Sequence, residues 1–298
     1  PPPVKEGEPK VSHKVREQAV MRPVLSIPDA PAYEDPRPGA SPSFLIDGFL
    51  LGEKFDAAKA KEIASRMREP SYSLKNFYDD CVLTFPELKL YLMEEKVKQK
   101  RQAPRRYGDK LSGSGRSKDT EYLRTIGALF AIYWLMRIGI DGEDGFVRGV
   151  DAAWQPVSAP SSPATVREGA PFYSMSSAQK MAEFSRTTDW KALQTLLKEA
   201  GLLVPSAGDA NKLEVGIERT VAMLSLTAIH DIMKIEALLP TVQPEHAEFR
   251  GFHPGDKIND HDSALAYVLE FYGECLPSYS AMGCDQIAAV KLTQAQLS

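Results

Sequence analysis

The stretch DTEYLRTIGALFAIYWLMRIG, residues 119–139, decides the fold class of this chain. Its apolar residues fall on most faces of a helix, and it contains all but the last residue of the longest apolar run of the sequence, Ile126–Ile140, which only Arg137 interrupts with a charge. A helix that is apolar nearly all round belongs inside a protein core. The run is too short to cross a bilayer. We therefore predict a central buried helix here and no transmembrane segment.

Sequences on both sides of this helix carry the start and stop signals of further helices, namely N-cap residues, first-turn prolines and terminal glycines. The predicted helices run over 56–67, 86–99, 176–186, 189–200, 210–239 and 260–276. The chain lacks convincing runs of alternating polar and apolar residues, which strands would require. The sequence therefore predicts an all-α, mainly helical protein.

Proline divides the chain into predicted regions. Residues 1–43 are rich in proline, which fixes φ and lacks an amide donor, so they predict an extended arm. The proline- and serine-rich residues 155–175 predict a linker between one helical lobe at 44–154 and another at 176–298. The chain opens on Pro1 instead of methionine and stops within a helix-like sequence, which indicates a segment of a longer protein.

The composition favours a globular protein over a general nucleic-acid binder. The 298 residues are 43% hydrophobic and 26% charged, with a net charge of -4, which is typical of a globular protein and argues against a general nucleic-acid binder. Cys81, Cys275 and Cys284 form neither a CxxC pair nor an even disulfide framework. We therefore expect a soluble protein of a reducing, intracellular compartment.

The basic loop, residues 96–118, carries nine lysines and arginines against the single acid Asp109. Such a stretch is able to bind phosphate, RNA or an acidic partner, although solvated charged loops are also common. Tyr107 is its one aromatic residue, which gives little support for base stacking. We predict that the basic loop and the proline-rich arm are contact surfaces for a protein partner.

Four of the five histidines fall between residues 230 and 261, and two of them precede aspartate, in His230-Asp231 and His261-Asp262. Imidazole and carboxylate groups are common ligands of metal ions. On a continuous helix, His230 would share an apolar face with its neighbours and point inward. Two simpler interpretations stay open: His230 is a hydrogen-bonded core histidine, and Asp260 or Asp262 is the N-cap of the following helix.

The segment Leu224–Lys234, LSLTAIHDIMK, resembles the HD superfamily of metal-dependent phosphohydrolases, in which an apolar helix ends in His-Asp-Ile-Gly-Lys. The resemblance implies an all-helical fold, a divalent metal ion (Mn, Fe, Zn, Co or Ni) and hydrolysis of a phosphoester. It implies catalytic roles for Asp231 and Lys234, with Lys234 facing the phosphate. The metal ligands that it implies are His230, Asp231, His253, His261 and Asp285.

The chain departs from the family pattern at two places. Residues 176–205 contain no histidine where the family has one on the preceding helix, and Met233 replaces the glycine after Ile232. We therefore expect one of two functions. The first is an HD-like phosphohydrolase, active or degenerate, that takes a phosphate-containing small molecule. The second is a non-enzymatic helical scaffold or interaction module within a larger assembly.

Overall fold

The computed structural model describes residues 42–50, 52–93, 118–141, 153–154 and 175–297. The predictions for the proline-rich arm before residue 42, for the basic loop between 96 and 117 and for the linker up to residue 174 lie outside these residues. The chain divides into two compact units, Pro1–Pro28 with Glu143–Thr188 and Asp29–Gly142 with Asp189–Ser298. The predicted lobes at 44–154 and 176–298, with the linker between them, stay a prediction.

Helices dominate the described residues, which confirms the predicted fold class. The unit that contains Glu143–Thr188 has one described helix, α5. The elements in chain order are α1 (Pro42–Leu50), α2 (Ala57–Arg66), α3 (Leu74–Thr84), a 3-10 segment (Pro86–Leu92), α4 (Lys118–Met136), α5 (Ser177–Thr187), α6 (Trp190–Glu199), β1 (Leu203–Ser206), β2 (Asp209–Val215), α7 (Ile217–Ile229), α8 (His261–Phe271), α9 (Pro277–Ser280) and α10 (Cys284–Leu297). Short 3-10 turns at Ile232–Lys234, Glu236–Leu238, Pro244–His246 and Gly273–Cys275 join the later helices.

Helix α4 is the central buried helix that its sequence predicts. Ile126, Leu129 and Met136 are at most 1% exposed, and α4 packs against α3, α7 and the 3-10 segment Pro86–Leu92. Burial of such large apolar side chains contributes about 1.5–3 kcal/mol each. None of the described helices combines the length and the apolar character needed to cross a membrane.

The predicted helix starts are confirmed where a side chain caps the first turn. Asp56, Asp189 and Asp260 each accept a hydrogen bond from the amide three residues ahead, at 2.8–2.9 Å. Each cap satisfies one amide that the helix itself leaves without a partner. The predicted stop after α6 is also confirmed, since Gly201 adopts a left-handed φ of +67°.

The predicted helix over 210–239 is wrong. Strands β1 and β2 instead form an antiparallel hairpin in which Leu203 faces Val215, and the following helix, α7, covers only Ile217–Ile229. Gly216 permits this path, because a Cβ there would lie 1.9 Å from the carbonyl oxygen of Gly201. The predicted helix over 86–99 begins as a 3-10 segment, and the helix predicted to reach residue 276 ends at Phe271.

Candidate functional site

The chain changes direction at the end of α7, and this bend builds the candidate site. His230 is the C-cap of α7, and the turn Ile232–Lys234 follows Asp231 at once. The amide of Lys234 donates to the carbonyl oxygen of Asp231 at 3.0 Å. Lys234 lies three residues after Asp231, a spacing that brings two side chains together on a helix as well as in this turn.

His230 and Asp231 contact each other through their side chains. His230 Nδ1 lies 2.9 Å from Asp231 Oδ1, with side-chain exposures of 36% and 11%. A carboxylate at Nδ1 favours the ring form that carries its proton there and leaves a lone pair on Nε2. Nε2 makes no hydrogen bond or ion pair with the residues that the structure describes. We call this the His230–Asp231 pair.

Lys234 neutralises the carboxylate of this pair. Its ammonium lies 2.6 Å from Asp231 Oδ1 and 3.9 Å from Glu121 Oε2, with only 9% of the lysine side chain exposed. Burial acts to raise the pKa of Asp231, but the hydrogen bonds from His230 and Lys234 outweigh it and hold that pKa well below its usual value. Asp231 is therefore an ionised, partly buried carboxylate.

The 3-10 segment and helix α4 contribute further side chains around the His230–Asp231 pair. The hydroxyl of Tyr91, in the 3-10 segment, accepts a hydrogen bond from the Asp231 amide at 3.2 Å. Burial is the main cause that raises the pKa of Tyr91, so this phenol stays protonated. On α4, the Arg124 Nε lies 3.6 Å from Glu121 Oε2, the same oxygen that faces Lys234. The candidate site is thus built from α4, the 3-10 segment and the turn after α7.

A cleft of about 410 Å³ opens beside the His230–Asp231 pair. Helix α4 lines it with Arg124, Thr125 and Ala128, and the end of α7 lines it with Leu226, Thr227, His230 and Asp231. Its volume lies within the range of small-molecule sites, roughly 300–1,000 Å³. The Arg124 side chain, 49% of which is exposed, and the imidazole of His230 therefore both line this cleft.

The other predicted metal ligands lie elsewhere. His253 is 70% exposed and its Nδ1 faces Glu248 Oε2 at 3.9 Å. Asp285 is exposed in the first turn of α10. His261 begins α8, with its Nε2 at 3.6 Å from Asp262 Oδ1. The structure therefore brings together only His230 and Asp231 of the five.

These positions do not fit one shared metal centre. Among the described residues, the group of potential ligands whose atoms all lie within 4.8 Å of one another is Asp260, His261 and Asp262. The capping interaction already engages Asp260 Oδ1. At Asp231 the ammonium of Lys234 occupies a cation's position, so a metal ion there would compete with it. The contact of Lys234 with phosphate stays a prediction.

Sequence reasoning missed Tyr91, Glu121, Arg124 and Thr125. One signal was available, because Glu121, Arg124 and Thr125 are three and four residues apart on a helix that is otherwise largely apolar. Such spacing places polar side chains on one side of the helix. For Tyr91, no local pattern indicated the contact, since its partner is 140 residues away in the sequence.

Comparisons of the chain with protein-family models, with curated proteins and with solved structures found no match. The function is therefore inferred from the residues of the cleft and from their geometry.

Proposed function

We propose that the cleft beside His230 is the reaction site of a phosphohydrolase that takes a phosphate-containing small molecule and shares the His-Asp pair of the HD superfamily without its shared metal centre. The observation that carries the proposal is the 2.9 Å contact between His230 Nδ1 and Asp231 Oδ1 at the wall of the cleft. This contact orients the ring and leaves Nε2 able to accept a proton from an attacking water. The water oxygen bonds to phosphorus as the ester P–O bond breaks, and the proton then passes from Nε2 to the leaving oxygen. General-base catalysis of this kind contributes about 10²- to 10⁴-fold to a rate.

The other residues take roles that follow from their contacts. Asp231 is a positioning residue, because it holds Nδ1, and Lys234 keeps Asp231 ionised. Arg124 is the cation in the cleft whose planar guanidinium suits two phosphate oxygens. In this proposal Arg124, instead of Lys234, binds the phosphate. The reaction steps proposed here use only these side chains.

The test is a hydrolysis assay of the purified chain on p-nitrophenyl phosphate and nucleoside monophosphates. It is run without added metal and with Mn, Fe, Zn, Co or Ni, and bound metal is measured by elemental mass spectrometry. We expect His230→Gln to lower kcat by about 100-fold or more. Arg124→Gln is expected to raise KM, because it removes a phosphate contact.

His253→Gln is the matched control, because this exposed histidine lies outside the cleft. It should retain the activity of the parent protein. Absence of turnover in the parent under every metal condition would refute the proposal, as would equal activity in His230→Gln.

The non-enzymatic scaffold is a second candidate, and one observation favours it. Lys234 lies between carboxylates of two separate elements, with Asp231 after α7 and Glu121 on α4, in a largely buried network. Such a network joins the elements even if no substrate binds. This candidate predicts that Lys234→Met unfolds the protein and that the parent has no phosphoesterase activity.

A further inference from the structure

A second pocket, of about 370 Å³, lies between the end of α4, helix α6 and strand β2. We call it the cationic pocket. Its polar lining comes from Arg68, Gln194, Lys198, Asn211 and Lys212. It shares no lining residue with the cleft beside His230, so it does not depend on the function proposed for that cleft.

The lining of the cationic pocket carries charge of one sign. Arg68, Lys198 and Lys212 are cations, and no aspartate or glutamate lines the space. Within the described part of the chain, none of these three side chains forms an ion pair with a carboxylate. Like charges that face one space repel one another and attract an anion.

Arg68 is held in place without being neutralised. Its guanidinium donates to the carbonyl oxygens of Met136, Leu213 and Ile138, at 2.5, 3.0 and 3.1 Å. Burial, and then the neighbouring charge of Arg137, lower the pKa of Arg68, while the Asp141 carboxylate, which does not form an ion pair with it, acts in the opposite direction. A partly buried charge without a contacting carboxylate is unfavourable, which an anionic ligand would relieve.

Arg137 shows what a neutralised arginine looks like in the same region. Its guanidinium contacts both carboxylate oxygens of Asp141, at 2.5 and 2.9 Å, and also donates to two carbonyl oxygens. Arg68 has the carbonyl contacts but lacks the carboxylate. The difference indicates that the pocket beside Arg68 is built to receive the missing negative charge from a ligand.

Neutral donors complete the lining. The side-chain amides of Gln194 and Asn211 are able to donate to ligand oxygens. Gly139 at the rim has a φ of +79°, and a Cβ there would lie 3.2 Å from Gln194 Nε2. A larger residue would therefore be strained and would press on Gln194, so glycine keeps this side of the pocket open.

We propose that the cationic pocket binds the phosphate group of a small molecule, with Arg68, Lys198 and Lys212 as the anion-binding residues. Arginine contributes a planar fork of donors and lysine a compact charge, which are the usual partners of phosphate. The volume suits a small phosphorylated ligand or free phosphate.

The test is isothermal titration of the full chain with inorganic phosphate and with pyrophosphate. The lysines are changed first, because they are exposed and Arg68 helps to hold the fold. We expect Lys198→Gln and Lys212→Gln each to weaken binding by about threefold to tenfold, and the double variant by more. Lys191→Gln is the control on the same helix and should bind as the parent does, since Lys191 does not line the pocket.

Arg124→Gln separates this site from the other one. It changes the cleft beside His230 and should leave binding in the cationic pocket unchanged, so loss of the cleft's activity and loss of this binding are distinguishable. Circular dichroism shows whether each variant is folded. Absence of phosphate and pyrophosphate binding to the parent would overturn the proposal, and so would unchanged affinity in the folded double lysine variant.

Discussion

The two His-Asp dipeptides have the same composition and different surroundings. His230-Asp231 ends a helix, and its side chains meet at 2.9 Å with the ammonium of Lys234 at 2.6 Å from the carboxylate. His261-Asp262 begins a helix, and its closest side-chain approach is 3.6 Å. The comparison teaches that the role of a His-Asp dipeptide depends on whether it lies at the end or at the start of a helix. A lysine three residues after the first dipeptide contacts its carboxylate, whereas the aspartate before the second dipeptide caps the helix that follows.

The largest effect on the free energy of unfolding is expected from loss of Lys234, the lysine that contacts the first dipeptide. Lys234→Met would leave Asp231 and Glu121 as largely buried acids without their shared cation. Removal of one partner from a buried ion pair costs about 3–5 kcal/mol. We expect the free energy of unfolding, measured with urea, to fall by about that amount.

Lys257→Met is the control for this prediction. Its ammonium lies 3.9 Å from Glu236 and both side chains are more than 40% exposed, so its loss should cost less than about 1 kcal/mol. Equal losses in the two variants would show that Lys234 does not have the special role assigned to it.

The next largest difference between the two dipeptides is expected in how the free energy of unfolding depends on acid pH. The pKa of Asp231 in the folded protein is below its usual value of 3.8 because His230 and Lys234 outweigh the effect of burial. Its ionisation therefore stabilises the fold above that usual value, and this stability is lost as the pH falls through the folded-state pKa. We expect Asp231→Asn to reduce the acid-dependent part of the loss in urea titrations from about pH 6 to pH 2.

The matched variant in the second dipeptide is Asp262→Asn, which removes a carboxylate that faces His261 at 3.6 Å, and its acid profile is measured beside that of Asp231→Asn. Acid profiles that coincide for the parent and Asp231→Asn would contradict the assigned ion pair.

The capping residue of the second dipeptide gives a smaller effect. Asp260 accepts from the Ser263 amide at 2.8 Å, so Asp260→Ala should cost about 1 kcal/mol in urea unfolding. Asp260→Ser should restore most of the loss, because serine is also a good cap. A loss in Asp260→Ser as large as in Asp260→Ala would indicate a role other than capping.

The smallest effect is expected at Asp262. Its Oδ1 is enclosed and makes no hydrogen bond with a residue that the structure describes. Replacing this carboxylate with an amide removes its charge. The ion pair lost with it is long, at 3.6 Å to His261, compared with 2.6 Å between Asp231 and Lys234. Asp262→Asn should therefore shift the free energy of unfolding by less than about 0.5 kcal/mol, and a loss above about 2 kcal/mol would end the contrast between the dipeptides.

Local signals in the sequence predicted much of the fold. The apolar run of α4 and the caps at Asp56, Asp189 and Asp260 depend on neighbouring residues, and the structure confirms them. The hairpin was missed because helix formers such as Ala210 and Lys212 suggested a helix, while the close approach of Gly216 to Gly201 is a tertiary contact.

The candidate site could be predicted only in part for the same reason. Adjacency in sequence made contact between His230 and Asp231 possible to anticipate. The three-residue spacing of Asp231 and Lys234 also favours their contact. Glu121 and Tyr91, however, approach from distant elements. The metal ligands implied by the HD resemblance would have to meet at one site, which histidines close in sequence need not do. His253, for example, lies on an exposed turn.

The base of the hairpin has a consequence for protein engineering. The Gly216 amide donates to the Leu202 carbonyl oxygen at 2.8 Å, so the two chain segments that enter and leave the hairpin are fixed together there. Its tip, Ala207-Gly208, is an exposed turn. Because the ends of an inserted loop would already be held side by side, a short epitope tag or a fluorescent reporter placed at the tip should leave α6 and α7 undisturbed.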